Sequence, residues 1–592
     1  MAEQSEPTSD APKRLNPFAF PSETDQRFVL FISAAVMWVL NWAGLIGETL
    51  TAEVLGGQMA PGATLLWKLA LPAAVILVAV MVYWTHPTRT VRQQKLAPFD
   101  PAQDASLQRE VEQLTTVAGL KTPPRIMLRP GKRLDGQAFG LPNAYSVRLD
   151  EVMRLALRKA PQEFRAVMLH ELAHIANRDI GRTYFAQALW SATFWVAIVP
   201  FLVVLVVFLL IGSRIDLAAQ RSLALGDLGR LLAVSLPTFV LQSLVFGVGI
   251  FMAYGLRASL LRVRETEADW RAASWGAGQT LVRMFQRSAA THRAQTGIRA
   301  RSARLLTMHP TAQVRLDALH SPEQLFRLKL EIPLFVGWLT TTILFGASEL
   351  IPELTSAPVV VPLVGTVALF IFVGLTVIGA LGMGILREAV LDLYRGERGL
   401  ARYIWLLAPA LLLVLGLYIG LATSPLGFAA LANIEVGLAL APSLLLIQFP
   451  LAVVVMWSCL AGLRLFGGRL LGAHAGGTSP TAQRRLLMVG FGGFYALFLL
   501  WFLMGLLAYF GAATNLTSDT AILNEVALNS ALVVAFMAVI GAPSGWVLTA
   551  AWRWLRPPRC PHCHIIAKQS HVLGAQCDAC NAELASWLFI KS

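Results

Sequence analysis

Residues 170–179 read HELAHIANRD, and the residues leading into them give PQEFRAVMLHELAHI over 161–175. Phe164, Val167, Met168, Leu172 and Ile175 recur at helical spacing, and Pro161 suits a first helical turn, where a missing N–H leaves nothing unpaired. On such a helix His170 and His174 stand four apart, so both imidazoles leave one face at a separation that a single zinc ion bridges. Glu171 then lies beside the metal without ligating it, placed to take a proton from a water whose pKa the metal lowers toward about 7. A catalytic zinc of this kind needs a third protein ligand and keeps one position for water. The run LRVRETEADW at 261–270 offers Glu265, Glu267 and Asp269 close together, and spacing does not choose among them.

The rest of the chain is built for lipid. Of its 592 residues 56% are hydrophobic and 14% charged, and the mean hydropathy is +0.59, outside the range of an average soluble domain. Ten stretches are long and apolar enough to span a bilayer: 28–46, 63–84, 187–211, 232–256, 332–351, 358–386, 403–424, 436–463, 487–511 and 526–551. The loops at 47–62, 352–357, 425–435 and 512–525 contain no Lys or Arg. They alternate with segments carrying Arg387, Arg395 and Arg398, then Arg464, Arg469, Arg484 and Arg485, then a tail with Arg553, Arg556, Arg559 and Lys568. The positive-inside rule therefore puts both termini in the cytoplasm, although the outer loop 212–231 carries Arg214, Arg221 and Arg230, partly balanced by Asp216 and Asp227. The net charge of +14 follows from this topology, and no nucleic-acid partner is expected.

These spans divide the chain. Residues 1–27, rich in Ser, Pro, Glu and Asp, read as a disordered tail. Residues 28–331 hold four spans and two cytoplasmic segments, 85–186 and 257–331, which form a compact domain only if they meet beneath the membrane. Residues 332–551 form an accessory six-span part, and 552–592 a terminal module. Within that module CPHC at 560–563 and CDAC at 577–580 are two paired knuckles. Cys560, Cys563, Cys577 and Cys580 give a closed, tetrahedral, structural zinc site of the zinc-ribbon type. A cytoplasmic location disfavours disulfides, and a protein partner docking on the ribbon is the expectation.

HELAHIANRD followed by two spans and RVRETEAD resembles the HtpX-like and CAAX prenyl protease family of integral-membrane zinc peptidases. That resemblance makes His170 and His174 ligands, Glu171 the general base and Glu265 the third ligand, with Arg262 three residues before it and Ala268-Asp269 after it. It puts Asp179 and Asp269 behind the histidines, accepting their distal N–H groups, and leaves Glu267 without a role. MHPTAQVRLDAL at 308–319 resembles the family's H-P-x-x-x-x-R segment, with His309 near the developing oxyanion and Arg315 near the substrate. Ala138, Phe139 and Gly140 resemble the family's segment before the edge strand, the alternating YSVRL reads as a short strand, and an extended substrate would pair with such an edge. Asn143-Ala144 leaves a second register open.

The expected molecule is a polytopic α-helical membrane protein of about ten spans, with a cytoplasmic α+β zincin-type metallopeptidase domain and a small C-terminal zinc ribbon. It would sit in a bacterial inner (cell) membrane, hold one catalytic and one structural Zn2+, and cleave polypeptide substrates, membrane proteins among them, in quality control or processing. The rival expectation is a catalytically silent membrane scaffold or sensor that binds through the same domain and the ribbon.

Overall fold

The computed structural model describes residues 15–49, 63–102, 104–131, 134–203, 225–291, 307–354, 379–397, 399–423 and 449–474, with seven residues between 563 and 581. The expected spans at 487–511 and 526–551 lie outside the described residues, as does Cys560, and so does part of the spans at 187–211, 358–386, 403–424 and 436–463. Among the described residues five helical stretches are long and apolar enough to cross a bilayer: Glu23–Gly44, Thr64–Gln93, Asp179–Val203, Ser243–Ala290 and Ala401–Ala422. Each overlaps one of the expected spans.

Helix α1 (Glu23–Thr49) packs against α2 (Ala63–Gln93), α6 (Asp179–Thr193), α7 (Leu225–Ala272) and α10 (Glu331–Leu354). Lipid offers no hydrophobic drive between helices, so shape-fitted side chains hold them together. Phe201, beyond α6, stacks on Phe246 of α7 at 3.7 Å, and Trp42 of α1 meets Phe246 edge-on at 5.1 Å. That aromatic cluster ties the helix leaving the HELAHIANRD segment to the helix that returns with LRVRETEADW. Farther along, α10 crosses α12 (Leu407–Ala422) so closely that a Cβ on Gly337 would stand 2.0 Å from the Leu413 carbonyl oxygen. α11 (Gly379–Arg395) and α13 (Phe449–His474) are joined by Arg464, whose guanidinium grips both oxygens of Asp392 at 2.9 Å.

The two segments expected in the cytoplasm form one packed unit. Strands β1 (Ala97–Pro98), β2 (Arg125–Arg129), β3 (Gly136–Leu141) and β4 (Ala144–Asp150) make a sheet in the order β1-β2-β4-β3, with β2 parallel to β4 and β3 antiparallel to it. The sheet, α3 (Ala105–Val117), α4 (Val152–Lys159) and α5 (Pro161–Asn177) share a core of Leu107, Val147, Leu149, Met153, Phe164 and Leu172. Ala272, Ala277 and Leu281 enter it from the end of α7, the turn after it and α8 (Gly278–Thr291), so the distant second segment completes the first. α9 (Ala312–His320) is fixed to α7 by the Trp270 indole N–H, which donates to the Ala318 carbonyl at 2.9 Å.

Two expectations need correction. YSVRL is a strand, but β4 pairs on both sides; the edge strand beside it is β3, which carries Ala138, Phe139 and Gly140 themselves. The pair Leu141↔Ala144 closes a two-residue turn of Pro142 and Asn143, with Asn143 at φ 66, and this settles the register. Gly140 is required by that turn: its φ is +126, and a Cβ would lie 2.3 Å from the Ala144 carbonyl oxygen. The second correction concerns the N-terminal tail. Residues 15–27, assigned by composition to a disordered stretch, are ordered, with Leu15, Ala19 and Phe20 buried against Trp270, Phe326, Leu386 and Val390.

Candidate metal centre

α5 starts with Pro161 at its first turn, as its sequence suggests, and from Met168 to Ile175 every residue is buried. It stops at Arg178, which adopts a left-handed conformation at φ 57, and α6 begins at once with Asp179. This sharp reversal turns the Asp179 carboxylate back onto the helix it has just left. His174 Nδ1 donates to Asp179 at 2.9 Å, while the ring's Nε2 faces Glu265 Oε1 at 3.7 Å. His170 is arranged in the same way: Nδ1 is 2.9 Å from Asp269 and Nε2 is 3.6 Å from the other Glu265 oxygen. Both histidines therefore spend Nδ1 on a buried carboxylate and present Nε2 to a shared point with Glu265. The ligand-type atoms of His170, His174 and Glu265 all lie within 4.8 Å of one another. The 3.6 and 3.7 Å separations of Glu265 from the two Nε2 atoms are close to the edge, roughly 3.3 Å, of a tetrahedron around a zinc with bonds of roughly 2 Å.

The charge around that point also fits a metal. Glu171, Asp179, Glu265 and Asp269 are all buried, and the cations interleaved with them are Arg264 and Arg315. With neutral imidazoles the cluster keeps two surplus negative charges, which a divalent cation cancels. Burial disfavours a charged His170, but the Asp269 carboxylate and the hydrogen bonds to Asp269 and Glu265 outweigh it and push the imidazole up to about 10. The site is thus built to hold positive charge, and its N,N,O donors suit zinc.

The four surrounding polar residues have distinct positions. Glu171 Oε2 accepts the Ala138 amide of edge strand β3 at 2.6 Å, which leaves Oε1 outside that contact. The Ala138 carbonyl accepts the Tyr184 hydroxyl at 3.1 Å. Arg264 Nε donates to Asp179 at 3.0 Å, and Arg315 Nε donates to Asp269 at 2.6 Å. Arg315, expected at the substrate, is thus engaged behind His170, with its guanidinium 4.3 Å from the Phe285 ring. His309 is exposed on the bend before α9. Phe139 is buried in the sheet core and Gly140 belongs to the turn, so of the three β3 residues expected near substrate Ala138 is the one that meets the site.

Glu267, which had no assigned role, points away from the metal ligands. It accepts from the Ser22 hydroxyl at 2.6 Å, the Thr24 hydroxyl at 2.7 Å and the Glu23 amide at 2.8 Å. A carboxylate from α7 therefore caps the N-terminus of α1. Glu23 in turn pairs with Arg387 of α11 at 2.9 Å, so α7, the N-terminal segment and α11 share one polar cluster. Local sequence could not reveal this, because the partners are 243 to 245 residues apart.

In the terminal module Cys563, Cys577 and Cys580 lie together, with Cys563 and Cys577 sulfurs 3.7 Å apart. The chain turns sharply after Cys580 through Asn581 at φ 55, whose N–H donates to the Cys577 carbonyl at 2.8 Å.

No curated protein and no solved structure matches this chain. The family model of peptidase family M48 matches residues 101–323, a stretch that contains both halves of the ligand set and the His309–Arg315 segment. That match agrees with the HtpX-like and CAAX prenyl protease resemblance of the motifs: residues 101–323 are similar to peptidase family M48, a family of metallopeptidases.

Proposed function

We propose that the chain is a membrane-embedded zinc metalloendopeptidase that hydrolyses peptide bonds at the cytoplasmic face, in membrane-protein quality control or processing. The observation that carries the reading is the convergence of His170 Nε2, His174 Nε2 and the Glu265 carboxylate beside a buried Glu171. Those three residues would hold zinc, which when bound supplies Lewis-acid polarisation and a water of lowered pKa. An extended polypeptide pairs along β3 and is held by backbone contacts, which bind with little regard to sequence. Glu171, oriented by the Ala138 amide, takes one proton from water as the water oxygen bonds to the carbonyl carbon. It returns that proton to the departing amine as the C–N bond breaks. His309, on its exposed bend, donates to the oxygen that becomes negative in the transition state.

Asp179 and Asp269 fix the histidine tautomers, and Arg264 and Arg315 hold those carboxylates in place. Residues 28–331 form the peptidase unit, 332–551 the accessory membrane part that governs access or recruits substrate, and 552–592 a structural zinc ribbon closed by Cys560. Purified protein and its Glu171→Ala variant, given an unfolded membrane protein with and without chelator, test this directly. Chelator-sensitive cleavage by the native protein and none by the variant is expected. Equal cleavage by both refutes the Glu171-dependent peptidase reading, and none at any zinc concentration leaves the silent scaffold.

A further inference from the structure

Beyond the metal ligands, one cavity has an unusual charge. It opens at the end of edge strand β3, where Asn143 and Tyr145 flank the β3–β4 turn, and holds about 740 Å³. Four cations line it, Lys121, Arg125, Arg178 and Arg271, and no acidic residue does. Several other cations of this domain are paired: Arg129 with Asp150, Arg148 with Asp135, Arg154 with Asp104, Arg165 with Glu110. Among the described residues none of the four cavity cations forms an ion pair. Arg271 rests on the Phe18 ring at 3.9 Å, and its Nε is buried without a hydrogen-bond partner. Like charges gathered around one hollow repel each other and focus a positive potential into it, so the arrangement is stabilised when an anion enters.

The position of the cavity says which anion. Ala138, whose amide meets Glu171, is four residues before Pro142, a distance of roughly 13 Å along a strand. A polypeptide paired along β3 at Glu171 would run into the cavity about four residues from its reacting bond. At its other end β3 follows Asp135, which is paired with Arg148 and Arg129, so the unmatched positive charge lies in one direction along the edge only. We propose that the basic cavity is a substrate subsite for an acidic side chain, Asp or Glu, about four residues from the scissile bond on one side only. This rests on the peptidase reading given above and adds the substrate's charge pattern to it.

Full-length protein in detergent, given fluorogenic peptides that share one cleavage sequence and carry a single Glu scanned to either side, tests the subsite. A Glu at one position on one side should raise kcat/KM about ten-fold, the scale of one charged hydrogen bond, with the change in KM. The Lys121→Glu/Arg125→Glu double variant should invert the ratio, favouring a Lys at that position. Binding of the same labelled peptides, followed by anisotropy, separates the two readings because it needs no turnover. If nothing is cleaved yet the acidic peptide binds about ten-fold tighter and the double variant removes the difference, the subsite stands and the peptidase reading falls. Cleavage with equal efficiency wherever Glu is placed overturns the subsite and keeps the peptidase reading. Anionic-lipid vesicles that bind the native protein and not the double variant, with no dependence of cleavage on Glu position, also overturn it and give the cavity to a lipid surface.

Discussion

Replacing Asp179 separates metal binding from folding. Its carboxylate is 1% exposed and serves two partners, His174 Nδ1 at 2.9 Å and Arg264 Nε at 3.0 Å. In Asp179→Asn the amide oxygen still accepts from His174, but the negative charge that raises imidazole basicity and answers Arg264 is gone. Loss of such a brace weakens metal binding by about 10–100-fold, or about 1.4–2.7 kcal/mol. Asp179→Ala goes further, because it strands a buried guanidinium. Breaking a buried ion pair costs about 3–5 kcal/mol, and the low end applies here because Glu265 remains 3.5 Å from Arg264 as a second partner. That compensation works against the site: an Arg264 drawn to Glu265 competes with zinc for its carboxylate. Zinc affinity measured by competition with a chromophoric chelator, beside thermal melting of the metal-free protein, resolves the two effects. Both variants should lose zinc affinity, and the Asn variant, which keeps the acceptor for His174, should lower melting less than the Ala variant. Native zinc affinity in both variants would refute the proposed brace.

Other outcomes follow from the same geometry. Glu267→Ala removes the acceptor of three hydrogen bonds and should expose residues 15–27 to limited proteolysis while zinc at the other face of the helix is retained; unchanged cleavage kinetics in that stretch would contradict the cap. Gly140→Ala forces a side chain into φ +126 against the Ala144 carbonyl and should destabilise the domain by at least about 1–3 kcal/mol in denaturant unfolding, whereas Gly119→Ala, with no atom near its Cβ, should cost less. Cys577→Ser should release a zinc without slowing peptide cleavage; loss of activity with ribbon zinc would make the ribbon part of the catalytic machinery.

The ligand helix was legible because its chemistry is local. A four-residue spacing fixes one face of a helix, and Pro161 marked its first turn. Glu265 could not be chosen by spacing among three nearby acids, since what selects it is the hairpin of α6 and α7, held by Trp42, Phe201 and Phe246. The edge strand was misplaced by one strand for a physical reason. Tyr145 to Leu149 alternate as a half-exposed strand does, while Ala138 and Gly140 are too small to give that signal, though β3 is the edge strand beside them. Composition misread residues 15–27 in a similar way: Ser22 and Thr24, which look like disorder-promoting residues, are cap partners of Glu267. Arg315 shows the limit of motif reading, because its place in the sequence pattern does not reveal that its partner is Asp269.

The most direct measurement is the zinc content of the purified full chain, set beside Glu265→Ala and the Glu265→Ala/Cys577→Ser double variant. Two zinc ions in the native protein, one in the single variant and none in the double variant are predicted. Two zinc ions retained in Glu265→Ala would contradict a catalytic metal held between HELAHIANRD and a carboxylate returned to it across two membrane spans.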